Sequence, residues 1–290
     1  MMQPASRTSA ENLMERYRGM DRTALDIAYS NRAVVTGWRD YLDRWTAESA
    51  LLYDSRATAR DLPFGDDPRQ RLDLFLTDRP DAATCLFLHG GYWQWNDKEG
   101  QAIVAEGLLA HGINAAIGEY SLAPNAGMTD ICAEAVRQVR FLAEELLRRG
   151  RDNQRIYLSG ISTGAHLMAL ALDQPGVRGA LLISGIYDLE PIRISSLNGP
   201  ICMDWAEARA FSPLHQVPAA TPPILLAHGA LEIPEIQRQT ADYLAVLKTL
   251  GRDVELIAVP DCNHFSVLES LADPDGLLAG KLAELVRRTR

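Results

Sequence analysis

The chain has no cysteine pair, no basic block and no long apolar run, and each absence argues against a class of protein. Its four cysteines stand far apart without a CxxC pair, which argues against a disulfide framework or a zinc site. The formal net charge of −9 comes without a cluster of Lys and Arg, so we expect no nucleic-acid partner. No apolar run approaches the roughly 20 residues that span a bilayer, and the N-terminal segment lacks the apolar core of a secretory signal. We therefore predict a cytoplasmic protein with no membrane partner. The missing HxxxH and HExxH patterns predict no metal, and we expect no cofactor.

What the chain has in quantity is apolar sequence, 47% of 290 residues, enough for one large core. Short runs that are apolar on both faces alternate with helix-like stretches, which predicts an α/β fold with a mostly parallel, doubly wound sheet covered on both faces. The segment Gln70–Leu76 alternates polar and apolar residues and predicts an earlier, half-buried antiparallel strand at the edge. The six apolar runs are Thr84–Leu88, Ile113–Ile117, Arg155–Ser159, Ala180–Ser184, Ile224–Ala227 and Val254–Val259.

Helical patterns fill the intervals between these strands. Apolar residues three to four positions apart predict a helix over Met128–Arg149 that ends at Gly150. A second helix is predicted over Glu235–Leu250, ending at Gly251, and a third over Pro274–Leu285. Ligands of such a fold bind at the carboxyl ends of the strands.

No linker composition divides the chain, so we predict a single domain over residues 1–290. Residues 1–60 differ in composition and are predicted to form an N-terminal helical extension packed on the body, with helices at Glu11–Tyr17 and Gly37–Leu52. Residues 191–212 make a long excursion between two predicted strands, and we expect it to shape the active site.

The fragment GISTG fits G-x-S-x-G, a nucleophile elbow on a strand-to-helix turn. Ser162 follows an apolar strand and precedes a helical stretch, and the small Gly160 and Gly164 leave room for the tight turn. The competing interpretation is a glycine-rich turn with an incidental serine. We predict that Ser162 is the nucleophile.

A serine needs a neighbouring base, and the base needs an acid to hold its tautomer. His264 lies in a loop beyond the last predicted strand and is the predicted base. Glu232, after the strand before it, is the predicted acid, with Glu235 and Asp261 as competitors. Serine, acid and histidine then follow in the chain order of α/β-hydrolases.

The fragment HGGYW follows an earlier strand and is suited to an oxyanion hole, because its glycines let the backbone come close to a substrate. Tyr92, Trp93 and Trp95 are suited to form the wall of a pocket for an aromatic group. The alternative for each is packing in the core, and we favour that alternative for Trp95. The backbone N–H groups predicted to stabilise the oxyanion belong to Gly91, Tyr92 and Thr163. The residues predicted to contact the substrate are His89, Gly90, Trp93 and Trp205.

Over most of its length the chain resembles the arylformamidases (kynurenine formamidases) of the α/β-hydrolase fold. The resemblance rests on YRGMDRTALDIAYSNRA, HGGYW, the serine elbow, GALEIPEIQRQT and NHFSVLE. It implies Ser162 as nucleophile, Glu232 as acid and His264 as base, in agreement with the residue patterns. Two features depart from the family: the acid there is usually Asp, and the elbow often has His before the serine and Ala after it.

These observations predict a serine hydrolase that cleaves a short N-acyl amide, formyl or acetyl, through an acyl-enzyme on Ser162. The resemblance makes N-formyl-L-kynurenine the first small-molecule substrate to test. A carboxylesterase for small acyl or aryl esters, an amidohydrolase of another N-acyl compound in heterocycle degradation, and a non-catalytic binding module stay open as alternatives. A homodimer also stays open.

Overall fold

An eight-stranded sheet forms the centre of the structure, a computed structural model that describes residues 15–289. The strands are β1 (Ala59–Pro63), β2 (Arg71–Phe75), β3 (Thr84–Leu88), β4 (Asn114–Gly118), β5 (Ile156–Ile161), β6 (Val177–Ile183), β7 (Ile224–Gly229) and β8 (Val254–Val259). Their order across the sheet is β1-β2-β4-β3-β5-β6-β7-β8. β2 is antiparallel to β1 and to β4, and all other neighbours are parallel. The predicted mostly parallel α/β sheet is confirmed.

The apolar runs of the sequence all become strands, with two of them matching at both ends, β3 and β8. The predicted strand over Gln70–Leu76 is also antiparallel, but its placement at the edge of the sheet was wrong. The edge strand is β1, whose sequence ARDLP contains no apolar run that would predict a strand. Because β1 covers it, β2 is buried along most of its length.

Side chains of each central strand alternate between two apolar layers, because successive residues of a strand point to opposite faces. On β3, Leu86 and Leu88 belong to one layer, and Cys85 and Phe87 belong to the other. Both faces of the sheet are therefore buried, as a doubly wound sheet requires.

The helices cover these two layers. Within residues 15–289 the α-helices are α1 (Arg22–Ala28), α2 (Asn31–Val34), α3 (Trp38–Arg56), α4 (Lys98–Gln101), α5 (Val104–Ala110), α6 (Met128–Arg148), α7 (Thr163–Ala169), α8 (Glu190–Ile194), α9 (Asn198–Ile201), α10 (Trp205–Ala210), α11 (Pro234–Thr249), α12 (Ser266–Ala272) and α13 (Leu277–Arg288). α6, α7 and α11 pack on the Leu86 face, and α5, α12 and α13 pack on the Phe87 face. None of these helices has both the length and the apolar character of a bilayer-spanning segment.

The predicted helix ends hold where glycine stops the helix. Gly150 and Gly251 adopt left-handed φ values of 67° and 69° just beyond α6 and α11, a conformation that ends helices and favours glycine. The predicted start at Pro274 was wrong, because the chain first turns at Gly276 and α13 begins at Leu277. Of the predicted helix at Glu11–Tyr17, positions 11–14 lie outside the described residues and positions 15–17 are not helical.

The N-terminal segment packs on both faces of the sheet. Leu25 and Tyr29 of the α1 region join one apolar layer, and Trp45 and Tyr53 of α3 join the other. This path brings the connection between α1 and α3 past the carboxyl ends of the parallel strands, where it borders the site described next.

Candidate active site

Ser162 lies on a sharp turn between β5 and α7. Its backbone has φ 57° and ψ −117°, a conformation that costs energy for any residue with a side chain. Two backbone hydrogen bonds hold the turn: the Ser162 N–H donates to the Ile183 carbonyl at 2.8 Å, and the Ser162 carbonyl accepts from the His166 N–H at 3.1 Å. A strained serine on a strand-to-helix turn is the geometry of a nucleophile elbow.

The glycines that flank Ser162 are required by close packing. A Cβ on Gly160 would overlap the backbone of Gly164, and a Cβ on Gly164 would overlap the carbonyl oxygen of Leu88 on β3. The turn therefore fits against the sheet only with glycine at both positions.

We expect Gly164→Ala to lower the free energy of unfolding by at least about 1–3 kcal/mol, because the Leu88 backbone cannot move aside without disturbing β3. The matched control is Gly280→Ala in α13, where an added Cβ meets nothing within 4 Å and should stabilise the helix by up to about 1 kcal/mol. Urea unfolding of both variants measures this difference. An unchanged urea midpoint for Gly164→Ala would contradict the packing argument.

Glu232 and His264 form a buried hydrogen-bonded pair near the elbow. Nδ1 of His264 lies 2.7 Å from Oε2 of Glu232. The other Glu232 oxygen accepts from the Gly229 N–H at 2.8 Å and from the hydroxyl of Ser184. The competing acids lie elsewhere: Glu235 pairs with Arg238, and no hydrogen bond between Asp261 and His264 occurs in residues 15–289.

These contacts keep Glu232 ionised. Burial opposes the charge, but the His264 ring, the Ser184 hydroxyl and the Gly229 N–H outweigh it and hold the pKa of Glu232 below its ordinary value. The stability contributed by the ionised carboxylate is present above the unfolded-state pKa and is lost as the pH falls through the lowered pKa of the folded state. An ionised carboxylate only accepts hydrogen bonds, so Nδ1 of His264 carries a hydrogen.

Ser162 and His264 line the same cavity, although no hydrogen bond between them occurs in the described part of the chain. Catalytic hydrogen bonds are often long in empty sites and shorten when a substrate binds. With Nδ1 protonated toward Glu232, the neutral ring leaves Nε2 free to accept a proton.

Three backbone N–H groups near Ser162 have no acceptor within residues 15–289, and they belong to Gly91, Tyr92 and Thr163. Gly91 and Tyr92 have positive φ values of 128° and 50°, which turn this loop over the end of β3. A Cβ on Gly91 would overlap the Trp95 carbonyl, so the turn needs glycine there. Unpaired N–H groups beside a nucleophile can hold the oxygen that becomes negative during acyl transfer.

The cavity above Ser162 has a volume of about 490 Å³, which is in the range of small-molecule sites. Its walls come from the α1–α3 region, the loop after β3 that contains HGGYW (residues 89–93, the glycine loop), the excursion after β6 and the loop that carries His264. They include Tyr29, Asn31, Arg32, Trp45, Gly90, Tyr92, Trp95, Ser196, Leu197, Pro200 and Phe265. The predicted contribution of the excursion to the site is thus made by its first part.

Three of the predicted substrate contacts were wrong. Trp93 and His89 are fully buried away from the cavity, Trp93 packing edge-on against His166. Trp205 is 55% exposed at the start of α10 and borders other surface depressions. Trp95, expected in the core, instead lines the cavity, and Gly90 lines it as predicted.

His89 supports the glycine loop from below. Its Nδ1 donates to the carbonyl of Gly90 at 2.8 Å, and its Nε2 lies 2.7 Å from Oε1 of Glu119. Glu119 also accepts from Arg69 and from the N–H groups of Tyr120 and Lys98. Burial raises the pKa of Glu119, but His89 and Arg69 outweigh it, so the carboxylate stays ionised. Glu119 was not predicted from the sequence, although an acid directly after a buried strand, here β4, is a usable signal of a functional site.

A second group of acids, Asp61, Asp73 and Glu99, has oxygens close enough together to surround a cation. The ammonium of Lys98 already occupies that position, 2.7 Å from Asp73 and 2.9 Å from Asp61, and it also pairs with Glu99. Lys98 is buried, so this group acts as an internal ion-pair network that fixes α4 to the sheet.

The chain is similar to known hydrolases. The chain is 32% identical to kynurenine formamidase of Danio rerio, over 80% of this chain and 83% of that protein. The family models that match are BD-FAE, over residues 72–175, and the prolyl oligopeptidase family, over residues 126–274. The chain belongs to the α/β-hydrolases related to kynurenine formamidase.

Solved structures agree with this assignment. A crystal structure from Silicibacter sp. TM1040, for which thioesterase activity has been suggested, has a TM-score of 0.81 and 30% identity, covering 88% of this chain and 97% of that one. An esterase of Pyrobaculum calidifontis shares the fold, with a TM-score of 0.70 and 16% identity over 90% of this chain and 97% of that one. The predicted α/β-hydrolase fold is confirmed, and the protein is a hydrolase.

Proposed function

We propose that this hydrolase cleaves a short N-acyl aryl amide through an acyl-enzyme on Ser162, with N-formyl-L-kynurenine as the first substrate to test. The observation that carries the proposal is that Ser162, on its strained turn, opens into the same cavity as a His264 ring already held by Glu232. The 32% identity to kynurenine formamidase supports the choice of substrate.

In this mechanism His264 takes the Ser162 proton on Nε2 while Glu232 holds Nδ1–H and stabilises the imidazolium that forms. The Ser162 oxygen attacks the acyl carbon, and the resulting oxyanion accepts hydrogen bonds from the unpaired N–H groups of Tyr92 and Thr163, with Gly91 as a further donor. The imidazolium then gives its proton to the leaving aryl amine. Water then attacks the acyl carbon while Nε2 of His264 takes its proton, the bond to the Ser162 oxygen breaks, His264 returns the proton to that oxygen, and formate or acetate is released.

The glycine loop is packed closely against the elbow. A Cβ on Gly90 would lie only 3.0 Å from the Ile161 carbonyl oxygen and 3.1 Å from the Ser162 Cβ, which leaves little room for a long acyl group there. The walls of the cavity also contain the aromatic rings of Tyr29, Tyr92 and Trp95. These features suit a small acyl group joined to a planar aryl amine.

The substrate prediction is tested with formyl, acetyl and butyryl amides of one aryl amine beside the matching p-nitrophenyl esters. We expect measurable kcat/KM on N-formyl-L-kynurenine, and values that fall as the acyl chain becomes longer than acetyl. Because each amide has an ester with the same acyl group, the effect of acyl-chain length on kcat/KM can be separated from the effect of the leaving group.

The result that favours a carboxylesterase is a much higher kcat/KM for p-nitrophenyl butyrate or longer esters than for every amide. A thioester belongs in the same panel, because thioesterase activity has been suggested for the Silicibacter relative. A non-catalytic binding module predicts no labelling of Ser162 by a fluorophosphonate probe, whereas the proposed mechanism predicts labelling that Ser162→Ala abolishes.

A further inference from the structure

Arg32 presents a cation to the cavity without an acid to pair with it. Its guanidinium carbon lies 4.5 Å from the ring centroid of Trp38 and 4.6 Å from that of Trp95. These two aromatic contacts hold the side chain in place. Within residues 15–289, Arg32 has no hydrogen bond to a protein acceptor and no carboxylate within ion-pair distance. Arg32 is an exposed residue, so its five N–H donors are hydrated and can exchange that water for a ligand.

The other charged residues of the cavity are already paired. Both oxygens of Asp26 accept from Ser196, one from its N–H and one from its hydroxyl, at 2.6 Å each. His264 is bonded to Glu232. Among the described residues that line the cavity, Arg32 is thus the charged group whose hydrogen-bond donors are unpaired. This positive charge is set in a protein whose net charge is −9.

The surroundings of Arg32 favour the binding of an anion. Partial burial, followed by the nearby Arg39, lowers the pKa of Arg32, although a guanidinium stays charged at any ordinary pH. A bound carboxylate would offset both the lost hydration and the repulsion from Arg39.

We propose that Arg32 is a subsite for a carboxylate carried by the leaving group of the substrate. The inference rests on the proposed function, because it takes Ser162 as the point of acyl attack. A planar ring lying against Tyr92 and Trp95 would place its acyl end at Ser162 and its acidic end at Arg32. The guanidinium fork matches the two oxygens of a carboxylate. The subsite then selects anionic aryl amides over neutral ones of the same shape.

The test measures binding with the nucleophile removed. Calorimetry on Ser162→Ala uses the 2-, 3- and 4-formamidobenzoates, each beside its neutral formamidobenzamide. For the best ring position we expect the carboxylate to bind about tenfold more tightly, as a charge-assisted hydrogen-bonded pair allows. Adding Arg32→Gln should remove that preference, and Arg32→Lys should keep part of it. The preference should also shrink as the salt concentration rises.

Arg39→Gln is the matched control. Arg39 also lies over Trp38, at 4.4 Å, but it does not line the cavity, so its removal should reduce the preference far less than Arg32→Gln does. Equal affinity for the charged and neutral ligands, no binding of any carboxylate, or a preference that survives Arg32→Gln would each overturn the subsite. Turnover of the same compounds by the unaltered enzyme tests the proposed function separately, since the binding preference does not depend on cleavage.

Discussion

Ser162→Ala and His264→Ala are each expected to lower kcat by about 10⁴-fold or more on whichever amide or ester the enzyme turns over best. Ser162 supplies the attacking oxygen, and alanine has no replacement for it. His264 is the base whose Nε2 is left free by the 2.7 Å contact between Nδ1 and Glu232. Both variants should still fold, because each side chain ends at the cavity. His264→Ala should nevertheless lower the free energy of unfolding, because it removes a partner of the buried Glu232 carboxylate.

The double variant Ser162→Ala/His264→Ala distinguishes a catalytic unit from two independent contributions. If the residues act together, the double variant should be hardly slower than either single one, because the second loss removes a function that the first has already disabled. Single-turnover kinetics with matched thermal unfolding curves measures this. Losses that multiply in the double variant would falsify the assignment of a shared proton-transfer step.

The central sheet and the elbow could be predicted because their signals are local. Thr84–Leu88 is buried on both faces, and Val254–Val259, at the edge of the sheet, buries mainly Ile257 and Val259. Both are short apolar runs, and the sequence pattern predicts their first and last residues correctly. GISTG is constrained within five positions, since the backbone at Gly164 touches Leu88. Local pattern and tertiary packing therefore require the same residues here.

The lining of the cavity could not be predicted in the same way, because it depends on how loops turn. Tyr92 and Trp93 both adopt positive φ, so side chains of the glycine loop do not alternate between two faces as those of a regular strand would. Trp93 goes into the core and Trp95 faces the cavity. In the excursion, Cys202 turns in the left-handed region between α9 and α10, and Trp205 lies outside the cavity.

Partners of the catalytic groups were missed for a related reason: they come from other strands. Ser184 follows β6 with φ 52°, and its hydroxyl reaches Glu232, which follows β7. Neighbouring parallel strands bring their carboxyl ends together, but the sequence does not say which residue of each loop turns inward. Arg32 was missed although it lies within YRGMDRTALDIAYSNRA, because nothing in that pattern says that its side chain reaches the cavity.

Glu232→Gln is expected to lower kcat by about 10³–10⁴-fold while the protein stays folded. Glu232 accepts three hydrogen bonds, from His264, from Gly229 at 2.8 Å and from Ser184. Glutamine has one acceptor oxygen and one donor NH₂. If the oxygen stays with Gly229, the NH₂ faces Nδ1 of His264 and forces the ring into the tautomer that carries hydrogen on Nε2. That tautomer cannot take the Ser162 proton.

Two variants separate this tautomer effect from a general disturbance of the loop. Glu232→Asp keeps an acceptor-only carboxylate and should retain part of the activity, limited by a side chain one methylene shorter. Asp261→Asn is the isosteric control on the competing acid, and it should be close to the unaltered enzyme because Asp261 makes no hydrogen bond to His264 in the described structure. The measurement is kcat and KM for all three variants beside their urea midpoints. Near-normal kcat in Glu232→Gln, together with loss of activity in Asp261→Asn, would show that Asp261 and not Glu232 holds Nδ1–H of His264 during catalysis.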